Sequence, residues 1–323
     1  MENLQLFPNQ YQPQLLPTSS QNTITADLFN SFISYLDVKP KSTETYTRAL
    51  RQLFTYFSFK GINSPTREDI LAYREKLKLT CKPTTVQNYI TAAKLFFRWT
   101  QQEKIYPNIA EHIKGAKLDR KHKKDYLTSK QVKEVLSSID RNTVTGLRDY
   151  AILTLMTTGG LRTIEVSRAN TEDLRTLGDN TVLYVQGKGQ DEKAEYVKVS
   201  TLVEKAIREY LCLKTDAKES SKGNEPLFIS TSNNSRNLRL SVRSVSGIVK
   251  ARLKSAGFNS ERLTAHSLRH TAVTLSLLAG KDITEVQQFA RHSNITTTQI
   301  YNHALERAEN SCGEAISSVI FSN

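Results

Sequence analysis

Residues 263–303 read L-T-A-H-S-L-R-H-T-A-V-T-L-S-L-L-A-G-K-D-I-T-E-V-Q-Q-F-A-R-H-S-N-I-T-T-T-Q-I-Y-N-H. His266 and Arg269 are three apart, so a helix projects both from one face. Val273, Leu275, Leu277 and Leu278 offer that helix an apolar side to bury, and Gly280 closes it, as a glycine just past a helix end does. A second amphipathic run over 283–290 carries Ile283, Val286, Phe289 and Ala290 and leads to His292. Tyr301 follows nine residues later, across a polar, threonine-rich bridge.

A lone His-x-x-Arg is a weak signal, because it often occurs by chance. The ordered set here is far more specific: H-S-L-R-H at 266–270, R-H-S at 291–293 and T-T-T-Q-I-Y at 296–301. It resembles the C-terminal active-site signature of the tyrosine recombinase (phage integrase) family. Upstream, T-G-G-L-R-T-I-E-V at 158–166 matches that family's first arginine motif, with two glycines that allow a tight approach before the arginine's helix. The resemblance implies an active site of Arg162, His266, Arg269, His292 and Tyr301, completed by a lysine on a hairpin. Lys188, in G-K-G at 187–189, is the choice for that lysine, and Lys193 is held in reserve. Glu165 reads as a salt-bridge residue. One departure stands out: the family usually has Leu-Gly-His before the histidine matched by His292, and this chain has Ala290-Arg291-His292. Without the glycine the easy left-handed turn is lost, so a different loop is expected there. Arg291 then either contacts phosphate or faces solvent, and solvent is favoured.

The rest of the chain agrees with a DNA-handling protein. With 323 residues it is long enough for two domains with real cores. Its 45 Lys+Arg against 32 Asp+Glu give a net charge of +13, which points to an anionic partner, nucleic acid first. Hydrophobic residues at 38% and charged residues at 24% suit a globular rather than a disordered chain. No run of eighteen apolar residues occurs, and M-E-N-L-Q-L-F-P-N-Q lacks the basic start of a signal peptide. A cytoplasmic protein without membrane association is expected. Cys81, Cys212 and Cys312 lie far apart without metal spacing and read as reduced thiols.

In order, residues 1–22 are rich in Gln, Asn, Pro and Ser and read as a flexible arm. Residues 23–111 then offer four helices, predicted over 24–36, 42–59 (capped by Ser42), 66–77 (capped by Thr66) and 83–102. The polar faces of the second and fourth hold Thr45, Arg48, Arg51, Thr84, Gln87, Asn88, Lys94 and Arg98, groups suited to phosphates and base edges. Residues 112–125 form a basic linker, in which 112–124 carry six Lys/Arg and one acid. The domain over 126–323 opens with a cap at Thr128 or Ser129, followed by a core helix over 144–157. Strand alternation over 181–185 and 195–199 makes a hairpin around G-K-G-Q-D-E-K. The fold class is thus mainly α with a small β-sheet. The resemblance names its parts: a helical core-binding domain and a mixed α/β tyrosine-recombinase catalytic domain.

The chemistry explains these residue types. In-line attack on a phosphodiester concentrates charge on equatorial oxygens, and fixed cations stabilise that charge. Arginine's planar fork grips two oxygens and stays charged, which suits Arg162 and Arg269, with His266 and His292 adding hydrogen bonds. On this resemblance Tyr301 is expected to be the nucleophile, and its phenol, with a free pKa of ~10, needs a proton acceptor. His266 is preferred for that role, although a shared proton network fits equally well. The resemblance implies that Lys188 gives the leaving 5′ oxygen its proton. The product is a 3′-phosphotyrosyl bond, and neither a metal nor another cofactor is implied. The expected function is site-specific recombination on double-stranded DNA sites, for integration or excision of a mobile element or for dimer resolution. The resemblance implies a homotetramer, or a hetero-tetramer with a related recombinase, in which the segment over 304–319 docks on a neighbouring protomer; the alternative is packing in cis. The rivals are a type IB topoisomerase and a non-catalytic DNA-binding regulator.

Overall fold

The computed structural model describes residues 26–117, 125–187, 189–214, 224–308 and 312–321. The arm over 1–22, most of the basic run over 112–124, and Lys188 lie outside the described residues. Two compact units divide the chain, one up to Arg120 and one from Lys121.

The first unit holds α1 (Ala26–Tyr35), α2 (Pro40–Lys60), α3 (Arg67–Thr80) and α4 (Pro83–Gln102). Helix α2 begins two residues before the predicted Ser42 cap. Proline's fixed φ suits the first helical position, so Pro40 starts the helix and Lys39 takes the cap position. Thr66 caps α3 as expected: the Asp69 carboxylate accepts from the Thr66 backbone N–H at 2.8 Å and from its hydroxyl at 2.9 Å. The unit's core is aromatic. Phe96 of α4 meets Phe32 of α1 edge-on, with centroids 5.4 Å apart, and Phe54 of α2 at 5.3 Å. Arg48, Arg51, Thr84, Asn88 and Arg98 are exposed, while Gln87 and Lys94 are half-buried.

The second unit is built on α6 (Val144–Gly159), whose residues are buried nearly all round, against α8 (Thr201–Leu213) and α10 (Ala265–Leu278). Around them lie α5 (Ser129–Ser137), α7 (Thr163–Arg168), α9 (Val242–Ser255), α11 (Ile283–Ala290), α12 (Ile295–Ala308) and α13 (Cys312–Phe321). The charges inside α6 are paired: Arg148 holds Asp149 at 2.7 Å, and Arg252 of α9 holds its other oxygen at 2.6 Å. A three-stranded antiparallel sheet runs in the order β1 (Leu174–Leu177), β2 (Asn180–Val185), β3 (Glu195–Val199). The predicted hairpin is β2–β3, in register from Thr181 opposite Val199 to Val185 opposite Glu195. Strand β1 was not predicted, because its four residues are mostly exposed and show no alternation to read. Among the described residues, no helix is long and apolar enough to cross a membrane.

Candidate active site

The site residues come from the start of α7, the turn after α11 and the bodies of α10 and α12. Gly160, at φ 59°, ends α6 in the left-handed turn that glycine tolerates, and a Cβ there would meet the Phe289 ring at 3.2 Å. Two residues on, Arg162 is the N-cap of α7. Its guanidinium donates to Glu165 Oε1 at 2.8 Å, and its backbone N–H to Glu165 Oε2 at 2.8 Å. Arg269, from the second turn of α10, is 2% exposed. It donates to the carbonyls of Gly160, at 2.5 Å, and Ala290. A second donation from Arg162, to the Arg291 carbonyl at 3.1 Å, ties both arginines to the turn that follows α11.

That turn corrects two expectations. The left-handed conformation survives without glycine, because Arg291 itself adopts it at φ 52°, ψ 49°, capping α11 through bonds to the Gln287 and Gln288 carbonyls. Nor does its side chain face solvent. Only 6% exposed, it reaches Glu165 Oε2 at 2.9 Å and the Phe289 carbonyl at 2.9 Å. Glu165 is wholly buried, with Arg162 and Arg291 on its two oxygens. Burial alone would raise its carboxyl; Arg291 and then the Arg162 backbone and side chain outweigh this and hold it below the ordinary carboxylate range.

His292 sits beyond the turn, its Nδ1 2.9 Å from the buried Thr298 hydroxyl on α12. Burial first, then the nearby Arg269, Arg162 and Arg291, push its pKa down to about 4. Burial and the same crowding of cations push Arg269 to about 9, which leaves it charged at neutral pH. Tyr301, from α12, is 7% exposed. Its hydroxyl is hydrogen-bonded to His270 Nδ1, and its ring stacks on His292 with centroids 6.4 Å apart. Burial pushes the phenol up to about 12, against the lowering influence of Arg269.

The hydroxyl is held by His270, whereas the expected proton acceptor was His266. His266 is exposed and meets His270 edge-on at 4.4 Å. His270 was the residue missed in the sequence, although its position four after His266 puts it on the same helix face. Lys193, the reserve choice for the lysine, is paired with the buried Asp173 at 2.5 Å. The described residue beside Lys188 is anchored: Gly187 takes a bond from Arg168 at its carbonyl, 3.1 Å, and gives its N–H to Gln190 at 2.9 Å. Arg162, Arg291, His292, Gly187, Gln190 and Gln287 are among the residues lining a cleft of about 850 Å³. Five predicted residues (Arg162, His266, Arg269, His292 and Tyr301) therefore come from α7, α10, α12 and the turn after α11, joined by Glu165, His270 and Arg291.

Both units match a known family. Residues 125–307 match the phage integrase family, and residues 27–106 match its N-terminal SAM-like domain. Tyrosine recombinase XerA of Pyrococcus horikoshii is 30% identical over 285 residues, covering 87% of this chain and 90% of that protein. Tyrosine recombinase XerC of Caldanaerobacter subterraneus is 38% identical over 200 residues, 62% of this chain; the match spans about half of that relative, 52%. In fold, the chain is similar to XerH site-specific recombinase bound to a palindromic difH substrate in a post-cleavage complex. That likeness has a TM-score of 0.69 and 22% identity, over 84% of this chain and 80% of the other.

Proposed function

The chain belongs to the phage integrase family, the tyrosine site-specific recombinases, and from that premise we propose that Tyr301 cuts double-stranded DNA by direct attack on a phosphodiester. The Tyr301 oxygen bonds to phosphorus, the bond to the 5′ oxygen breaks, and the 3′ end is left as a phosphotyrosyl ester. His270 receives the phenolic proton, and His266, one turn earlier on α10, extends the pair toward solvent. Arg162 and Arg269 donate to the oxygens on which charge develops, while neutral His292 adds a hydrogen bond. Lys188 protonates the departing 5′ oxygen. Because the ester keeps the energy of the broken bond, another 5′ hydroxyl can attack it and religate the strand without ATP.

The observation that carries the proposal is the Tyr301–His270 bond set beside two arginines anchored to one turn. In the free chain the hydroxyl is buried, so α12 must shift before attack; DNA binding supplies the free energy for that shift. Residues 23–111 serve as the core-binding domain, presenting the exposed Arg48, Arg51 and Arg98 to DNA, with residues 112–125 as a basic linker and 126–323 as the catalytic domain. The exposed Ile316, Val319, Ile320 and Phe321 on α13 favour docking of the tail on a neighbouring protomer in a tetramer on two sites. The protein works in the cytoplasm, on a mobile element or on replicon dimers.

The test is covalent capture. A pool of randomised duplexes carrying a nick, which lets the cut strand diffuse away, is incubated with the protein and the adducts are sequenced. The expected adduct joins Tyr301 to the 3′ side of the break. A 5′ adduct, or an adduct on another residue, overturns the mechanism. Relaxation of a plasmid lacking the recovered site would instead indicate a topoisomerase.

A further inference from the structure

We propose that Arg291 is a positioning residue of this active site, acting on Arg162 through Glu165; the proposal rests on the catalytic roles assigned above. The turn after α11 needs a left-handed residue, which glycine adopts freely, and a side chain there carries a steric cost. This chain keeps an arginine at that strained place, φ 52°. It then buries the guanidinium, leaving Nε without a hydrogen-bond partner, and an unpaired buried donor adds a further penalty. Two local rules are broken at one residue, and the side chain's contacts show what is gained.

Glu165 has two oxygens and three donors. Oε1 accepts from the Arg162 guanidinium, and Oε2 accepts from both the Arg162 backbone and the Arg291 guanidinium. Arg162 in turn donates to the Arg291 carbonyl. The four links close a ring, Arg162 to Glu165 to Arg291 and back to Arg162. With glycine at 291, Arg162 would be Glu165's only cationic partner in this ring, and the carboxylate would be freer to rotate. With arginine, the second guanidinium locks the carboxylate, and the carboxylate fixes the plane of Arg162, which lines the cleft. Arg291 touches Glu165 and backbone carbonyls, so its effect on the phosphate is indirect.

The probe is the nicked duplex recovered by covalent capture, used with the full chain. In R291G the rate of adduct formation at saturating DNA is expected to fall by about 10²-fold, the usual effect of a misplaced group, while half-saturation stays where it was. R291K is expected to remain close to R291G, because a point ammonium cannot span the carboxylate and the Phe289 carbonyl in one plane. R291G/E165Q is expected to be no slower than the slower single variant, since both act through one ring. R291N, which also tolerates the left-handed turn, replaces R291G if the glycine lowers the melting temperature. Wild-type rates in R291G, a loss confined to half-saturation, or losses that multiply in the double variant would each overturn the proposal. Absence of any adduct from the unmodified chain would remove the catalytic reading and this proposal together.

Discussion

Glu165→Gln keeps the shape of the side chain and removes its charge from between two guanidiniums. The carboxylate is wholly buried and the Arg291 side chain is 6% exposed, so solvent screens that pair little. Breaking a buried pair and leaving one charge uncompensated costs about 3–5 kcal/mol. The lower end applies here, because Arg162 is 29% exposed and can rehydrate. A loss of about 3 kcal/mol lowers the melting temperature of a unit this size by roughly 6–12 °C. The pH dependence gives a second check. Glu165 has a folded pKa below the ordinary carboxylate value, so its contribution is complete above the unfolded pKa of about 4.3 and fades as pH falls from there through the folded value. Calorimetry of both proteins should therefore show a constant gap from pH 8 down to about 5, closing in stronger acid. A gap under about 2 °C at pH 7, or one that widens in acid, would refute the assignment of Glu165 as the ionised hub.

Tyr301→Phe removes the hydroxyl alone and should abolish every covalent adduct while leaving DNA binding, measured by gel shift, intact. His270→Ala should slow adduct formation more than His266→Ala does, because His270 holds the proposed nucleophile; the reverse order in single-turnover trapping would return the proton to His266. His292, pushed down to about 4 by burial and its arginine neighbours, should show no ring titration by NMR between pH 8 and pH 5.5. Gly160→Ala places a Cβ 3.2 Å from the Phe289 ring on a left-handed backbone, and denaturant titration should find a loss of about 1–2 kcal/mol or more. Lys121, Lys123 and Lys124 changed together to Gln should lower the slope of log K against log salt by about one unit for each phosphate no longer neutralised.

Much of this was legible in the sequence because the signals were local. Thr66 and Thr128 announce α3 and α5 through capping geometry that spans four residues. The His266–Arg269 spacing is a property of one helix. What escaped were features decided by partners distant in sequence. Arg291 looks like a surface residue until Glu165, 126 positions earlier, comes to meet it. His270 gains its meaning only when α12 folds back over α10. Strand β1 forms because β2 offers it an edge, and nothing in L-R-T-L demands a strand. Ser42 loses the cap to Lys39 through a local rule given too little weight, the fitness of proline at a first helical position.

The burial of Tyr301 bears on how such a chain lives beside a genome. With its pKa pushed up to about 12, about one molecule in 10⁵ carries a phenolate at pH 7. Water-borne electrophiles that iodinate or nitrate exposed tyrosines will pass this one by, while Tyr35 and Tyr196, both about half exposed, take the label. The resting protein is thus guarded at its proposed nucleophile. Iodination of Tyr301 becomes a clock, starting when α12 moves and the latent hydroxyl first meets solvent.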